Sequence, residues 1–131
     1  MSLKKSVKLV CVDDDLMFLN TLSGFLKDCG YNVHTAHNTE KGFNLINSEK
    51  PDIALIDINM PEKDGLDLIG QLRHEQANNN DIHIPYIILL TGMAYPEYQI
   101  AARRMGCDDY IVKSDDFSVI LAAIEALENS H

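Results

Sequence analysis

The sequence predicts an α/β fold, a single domain built on a five-stranded parallel sheet with helices on both faces. Three observations carry this reading. Short β-rich runs alternate with helix-period stretches five times over, and no two strands lie close enough in sequence to form a hairpin. The apolar run Ile53-Ala54-Leu55-Ile56 also leads straight into a lone carboxylate, Asp57. Such a run reads as a strand covered on both faces, as parallel sheets require. Alternating strands and helices imply right-handed crossovers into one sheet. A chain of 131 residues suits one domain with a real core, about 7–128, and no linker, repeat or low-complexity segment divides it.

The elements follow in order. Val7 to Val12 is a compact β run ending in Asp13-Asp14-Asp15. Leu16 to Cys29 carries Leu19, Leu22, Leu26 and Cys29 as a helical stripe, with Asp15 placed to cap its start and Gly30 its end. Tyr31 to Ala36 is a second strand. Asn38 or Thr39 can cap a helix from Glu40 to about Glu49 that buries Phe43 and Ile46, and Pro51 stops it. The strand Ile53 to Asp57 follows. A turn closed by Pro61 and Gly65 leads into a third helix, Gly65 to Gln76, with Leu66, Ile69 and Leu72 on one face. Ala77 to Asp81 is a polar loop, and Pro85 to Leu90 is another buried strand ending at Thr91-Gly92. Pro96 suits the first turn of a fourth helix running to Met105, which Gly106 closes. Asp109 to Val112 is the fifth strand, ending at Lys113. Asp116 can cap a last helix with Phe117, Ile120, Ile124 and Leu127 facing inward.

Composition narrows the function classes. Hydrophobic residues at 46% and charged residues at 24% are a globular balance. No apolar run approaches the roughly 18 residues of a membrane span, and the N-terminus lacks a signal-like apolar stretch behind its lysines. Cys11, Cys29 and Cys107 are odd in number and read as reduced core thiols of a cytoplasmic protein. A net charge of −9 argues against this domain gripping nucleic acid by itself, since phosphate binding needs a basic face. It fits a domain that gathers carboxylates around a cation, although acidity that merely maintains solubility explains most of the acids. Met1-Ser2-Leu3 and His131 are given no function. The chain ends at about Glu128 without a linker or effector segment, as either a stand-alone regulator or a piece of a larger protein would.

Parallel strands bring their C-terminal ends to one edge of the sheet, where open α/β folds bind ligands. The first strand delivers Asp13, Asp14 and Asp15, the third Asp57, the fourth Thr91 and the fifth Lys113. Two carboxylates about 4 Å apart repel by about 4 kcal/mol at an effective dielectric near 20, so a cation is required. Oxygen ligands alone, and few of them, fit Mg²⁺ keeping several waters rather than Zn²⁺. Carboxylates, a hard cation, the Lys113 ammonium and the Thr91 hydroxyl together suit a phosphoryl group attacked in line by Asp57. Each residue alone says little. An Asp or Thr at a strand end is commonly a cap, and a Lys after a strand is commonly a solvated charge. His34 and His37, three apart, point to opposite faces of an extended chain, which disfavours a zinc pair.

The segments V-D-D-D at 12–15, D-I-N-M-P-E-K-D-G at 57–65, L-T-G at 90–92 and D-Y-I-V-K at 109–113 carry a resemblance. In them, and over most of the chain from about Lys8 to Leu127, the sequence resembles the receiver domain of two-component response regulators, chemotaxis-receiver-like in kind. That resemblance implies a flavodoxin-like, doubly wound (βα)5 sheet in the order 2-1-3-4-5. It implies that Asp57 takes a phosphoryl group from a sensor histidine kinase, a phosphotransfer protein or a small acyl phosphate. Asp14 and Asp57 would bind Mg²⁺ directly, with the backbone carbonyl of Asn59, and Asp13 would act through water. Lys113 would neutralise the phosphoryl group, and Thr91 with Tyr110 would form the switch, Tyr110 otherwise being a half-buried strand aromatic. The fourth helix, with Tyr95, Tyr98, Arg103 and Arg104, would join the fifth strand and fifth helix as a homodimer or partner face, if these are more than solvated side chains. A downstream effector or covalently linked output domain is implied, and no turnover enzyme.

The family usually places Pro directly after the Lys, in a cis peptide; here Ser114 stands there. A cis bond before a non-proline residue costs about 2.5–4 kcal/mol, so a trans bond is expected, with the loop and the reach of Lys113 altered and phosphorylation weakened. Met93 and Asn59 resemble positions that tune phosphate lifetime, and a Met cannot orient a hydrolytic water. Two alternatives remain open: a degenerate scaffold receiver, hinted at by Ser114, and a small Mg²⁺-dependent phosphohydrolase, which would want an acid where Asn59 stands.

Overall fold

A computed structural model describes residues 7–60, 64–79, 83–93 and 95–129. Strands and helices alternate: β1 (Lys8–Val12), α1 (Leu16–Asp28), β2 (Asn32–Ala36), α2 (Thr39–Glu49), β3 (Ile53–Asp57), α3 (Gly65–Asn78), β4 (Tyr86–Thr91), α4 (Pro96–Arg104), β5 (Asp109–Val112) and α5 (Ser118–Glu128). Every strand pair is parallel, and the sheet order is β2-β1-β3-β4-β5. The expected five-stranded sheet is therefore present, in the order the resemblance implied.

Alternation along each strand divides the core into two layers. Leu9 and Cys11 of β1, Ile53 and Leu55 of β3 and Ile88 and Leu90 of β4 meet Leu19, Leu22 and Leu26 of α1 and Ile120 and Ile124 of α5. On the other face Val10, Val12, Ala54, Ile56, Ile87 and Leu89 meet Ile46 of α2, Leu68, Ile69 and Leu72 of α3 and Ala102 of α4. All five residues of β3 are buried, which is why its sequence shows no polar alternation. The register pairs Val12 with Ile56, so the next residues, Asp13 just past β1 and Asp57 at the end of β3, lie level with each other.

Several helix ends differ from expectation. Asp15 caps α1 through Phe18 N–H (3.1 Å), but the helix stops at Asp28 and Gly30 turns to φ +98°. Cys29 is thereby swung out and exposed, Cys107 is half-buried, and Cys11 alone of the three is a core thiol. Burial pushes the Cys11 thiol up to about 12, with Asp13 adding to the rise. Asn38 rather than Thr39 caps α2, and Lys50 ends it in the left-handed region at φ +50°. In α3 a reciprocal capping box links Asp64 and Asp67, and Leu68 rather than Leu66 is fully buried beside Ile69 and Leu72. That helix continues through Ala77 and Asn78 with Asn79 as its C-cap, and the rest of the expected polar loop, positions 80 and 81, lies beyond the described residues. Pro61 also lies outside them. The N-cap position of α5 is Phe117, yet Asp116 does the capping chemistry, its Oδ1 accepting Ser118 N–H at 2.9 Å.

Candidate functional site

The edge formed by the C-terminal ends of β1, β3, β4 and β5 gathers the expected residues. Asp13 and Asp57 are each 2% exposed, whereas Asp14 reaches solvent. One oxygen from each of Asp13, Asp14 and Asp57 lies within 4.8 Å of the others. Lys113 follows β5, its backbone N–H donating to Thr91 O at 2.7 Å. Its ammonium stands 2.6 Å from Asp13 Oδ2 and 3.4 Å from Asp57 Oδ1. The approach to Asp13 is an ion pair whose angle falls short of good hydrogen-bond geometry. Burial and then the Asp13 charge push Asp57 from 3.8 up to about 7, against the opposing pull of Lys113 and of Asn59 N–H. Lys113 is raised: burial disfavours its charge, but Asp13 and Asp57 together outweigh that.

Lys113 and Ser114 are joined by a trans peptide, as no cis bond occurs among the described residues. Ser114 closes a small turn, its Oγ donating to Asp116 O (3.1 Å) and accepting from Asp116 N–H (3.2 Å). From this trans-linked loop Lys113 meets both carboxylates.

Thr91 is fully buried. Its Oγ1 lies 2.8 Å from Met93 O and 3.0 Å from Asn59 Oδ1, and it accepts Met93 N–H at 3.1 Å. One hydroxyl proton serves two acceptors, so Thr91 is already committed. Tyr110 on β5 is half-buried, and its hydroxyl is shielded from solvent without a hydrogen-bond partner. Burial raises its pKa, and Thr91 lies near enough to oppose the rise without meeting hydrogen-bond geometry. Met93 is exposed, its sulfur accepting the Tyr95 hydroxyl at 3.0 Å. The two histidines part as expected, His34 toward Glu49 and His37 toward Lys41, each at 3.3 Å.

Three contacts here were missed by sequence reasoning, those of Gly65, of the Asn59 side chain and of Phe18. A Cβ on Gly65 would sit 2.5 Å from the Asp57 carbonyl oxygen, so α3 can start this close to β3 only with glycine there. The Asn59 side chain, and not only its backbone, touches the site through Thr91. The Lys113 ammonium stands 4.5 Å from the centroid of the Phe18 ring. Only Gly65 left a sequence signal, a glycine opening a helix hard after a strand.

The model of the response regulator receiver domain family matches residues 9–125. The chain belongs to that family. This receiver is 33% identical over 122 residues to the response regulator MprA of Mycobacterium bovis, covering 93% of this chain and 50% of that one. It is 26% identical over 121 residues to the virulence transcriptional regulatory protein PhoP of Shigella flexneri, covering 92% and 52%. The receiver thus spans about half the length of these relatives. Among solved structures, a CheY-like receiver domain protein from Methanospirillum hungatei JF-1 matches with a TM-score of 0.82 at 27% identity over 95% of both chains. TrrA of Thermotoga maritima, solved in complex with Mg²⁺-BeF, matches with a TM-score of 0.78 at 27% identity, over 92% of this chain and 98% of that one. The receiver's all-oxygen carboxylate cluster fits Mg²⁺, a hard cation that prefers carboxylates and water.

Proposed function

We propose that Asp57 is the phospho-acceptor of a two-component signalling switch. The observation that carries this reading is the buried Asp57 carboxylate sharing one pocket with Asp13, Asp14 and the Lys113 ammonium. An Asp57 oxygen forms the new bond to phosphorus as the P–N bond of a phosphohistidine breaks, and the departing imidazole nitrogen keeps the bonding pair. The donor is a sensor histidine kinase or a phosphotransfer protein, with small acyl phosphates as substitutes. Asp14, Asp57 and the Asn59 backbone carbonyl would hold Mg²⁺ directly, and Asp13 would do so through water. Bound there, Mg²⁺ supplies neutralisation of the phosphoryl oxygens. Lys113 contributes a fixed positive charge from the β5 side. The Mg²⁺-BeF complex of TrrA supports the same use of this pocket.

Thr91 would then give up Asn59 and Met93 O for the phosphoryl group, and Tyr110 would move into the space released. Its shielded, unpartnered hydroxyl supports a residue with two resting places. Such a change needs only about 1–3 kcal/mol of coupling. The exposed Ile100, Val112 and Val119, on α4, β5 and α5, support that face as the site of a homodimer or of an effector or linked output domain. The whole chain acts as one receiver unit in the cytoplasm. It is a switch limited to its own phosphorylation and dephosphorylation, with no direct nucleic-acid contact. No described helix is long and apolar enough to cross a membrane.

Incubation with acetyl phosphate and Mg²⁺ tests the proposal. A base-labile adduct, absent in Asp57→Asn, is the expected result. No adduct from acetyl phosphate or any histidine kinase would leave a scaffold receiver, and multiple turnover would indicate a phosphohydrolase.

A further inference from the structure

We propose that Phe18 is a positioning residue for Lys113, its ring face keeping the ammonium in place while the charge on Asp57 changes. The proposal rests on the reading of Asp57 as phospho-acceptor. The Lys113 Nζ lies 4.5 Å from the Phe18 centroid, inside the roughly 6 Å over which a cation feels a ring quadrupole. The Lys113 side chain is only 17% exposed, so the contact is partly desolvated, where it is stronger.

The other partners of the ammonium are Asp13 Oδ2 and Asp57 Oδ1. Both are ionisable, and Asp57 is the group that would bond to phosphorus. As that happens its carboxylate charge vanishes and negative charge reappears on the phosphoryl oxygens. The ring face neither titrates nor reacts, and it offers the same attraction before and after. Lysine has a flexible four-carbon stem and gains most from such a guide. The Lys113 backbone is tied to Thr91 O through its N–H, and the neighbouring Ser114 side chain is turned to Asp116, so neither bond reaches the ammonium.

Phe18 is itself held firmly. It is the third residue of α1, its amide bonded to Asp15 Oδ1 at 3.1 Å. Its ring meets Phe117 edge-on at 5.8 Å and 89°, and Phe117 leans on Phe25 at 5.4 Å. A leucine at 18 would fill much of the space without presenting a negative face.

The test replaces Phe18 by phenylalanines bearing one, two and three ring fluorines, which drain the quadrupole at nearly constant shape, and separately by leucine and tyrosine. Two quantities are read: the rate of labelling by acetyl phosphate with Mg²⁺, and the order of the Lys113 Cε methylene from ¹³C relaxation in metal-free protein. Both are expected to fall stepwise with fluorination. Phe18→Leu is expected to slow labelling roughly 2- to 30-fold, the span of a cation–π contact at about 1.36 kcal/mol per decade, while Phe18→Tyr retains the rate. A flat fluorine series with full labelling in Phe18→Leu overturns the proposal and leaves the ring as packing. Wild-type protein that takes no phosphoryl group refutes the acceptor reading alone, and the Cε order then decides the positioning role.

Discussion

At the scale of residues the site is a charge problem solved only in part. Asp57 carries a folded-state pKa of about 7 against an ordinary value of 3.8, through burial first and Asp13 second. The folded protein therefore holds a proton that the unfolded chain releases. Its contribution to stability is complete below about pH 4 and is lost as pH rises toward 7. Metal-free protein is expected to lose roughly 2–4 kcal/mol between pH 4 and pH 8 from this source. Urea denaturation should show that slope in the wild type and a flatter profile in Asp57→Asn, which becomes the more stable protein at pH 8. Because protons and Mg²⁺ compete for the carboxylates, saturating Mg²⁺ should raise the melting temperature more at pH 8 than at pH 5. Thr91 presents the opposite case, a hydroxyl with more acceptors than protons. Asn59→Ala removes one of them, and a typical hydrogen bond contributes about 1 kcal/mol. If Asn59 holds the resting position, the variant should bind beryllofluoride about fivefold more tightly. Unchanged affinity, measured by titration with Mg²⁺ present, would show that Met93 O alone holds the hydroxyl.

At the scale of elements, junctions matter more than middles. Gly65 lets the first turn of α3 rest on the Asp57 carbonyl, and backbone cannot yield as a flexible side chain can. Gly65→Ala is expected to cost about 1–3 kcal/mol by overpacking and to slow acetyl phosphate labelling, because the displaced atom belongs to Asp57, the proposed acceptor. Normal labelling with lowered stability would mean that α3, and not Asp57, moved. The same junctions separate what was legible in the sequence from what was not. β3 announced itself because burial on both faces leaves a continuous apolar run. Asp13, Asp57, Thr91 and Lys113 could be placed because strand ends of a parallel sheet share an edge. Cys29 misled because its spacing continues the α1 stripe one step past the point where Gly30 breaks the helix. Leu66 and Leu68 flank the same buried stripe, and periodicity alone does not say which goes inside. The contacts of Phe18 with Lys113 and of the Asn59 side chain with Thr91 were invisible for another reason: each joins side chains from different elements, and no local spacing encodes it.

At the scale of the molecule, the layers and the acidic edge are set by topology, while responsiveness depends on how the surrounding helices are fastened. α3 is fixed at its start by the Asp64–Asp67 capping box and the Gly65 contact. α4 is fastened at its other end, where Arg73 donates from Nε to Met105 O (2.7 Å) and from its guanidinium to Gly106 O (3.2 Å). Its first turn has no side-chain cap, and Ala102 is its one fully buried residue. Amides in the first turn of α4 are expected to exchange with solvent faster than those of α3, and Arg73→Ala should extend fast exchange along all of α4. Equal exchange in the two helices would contradict this asymmetry. Mechanically, α4 would act as a lever with its fulcrum at the Arg73 bonds and its uncapped first turn as the free arm. Nine residues give an arm of about 13 Å, so a tilt of about 10° swings the tip by about 2 Å. On the proposed reading of Thr91, the movement of its hydroxyl would thereby be geared up to one that a docked surface can feel, with the clamped flank of the site giving the stroke its direction.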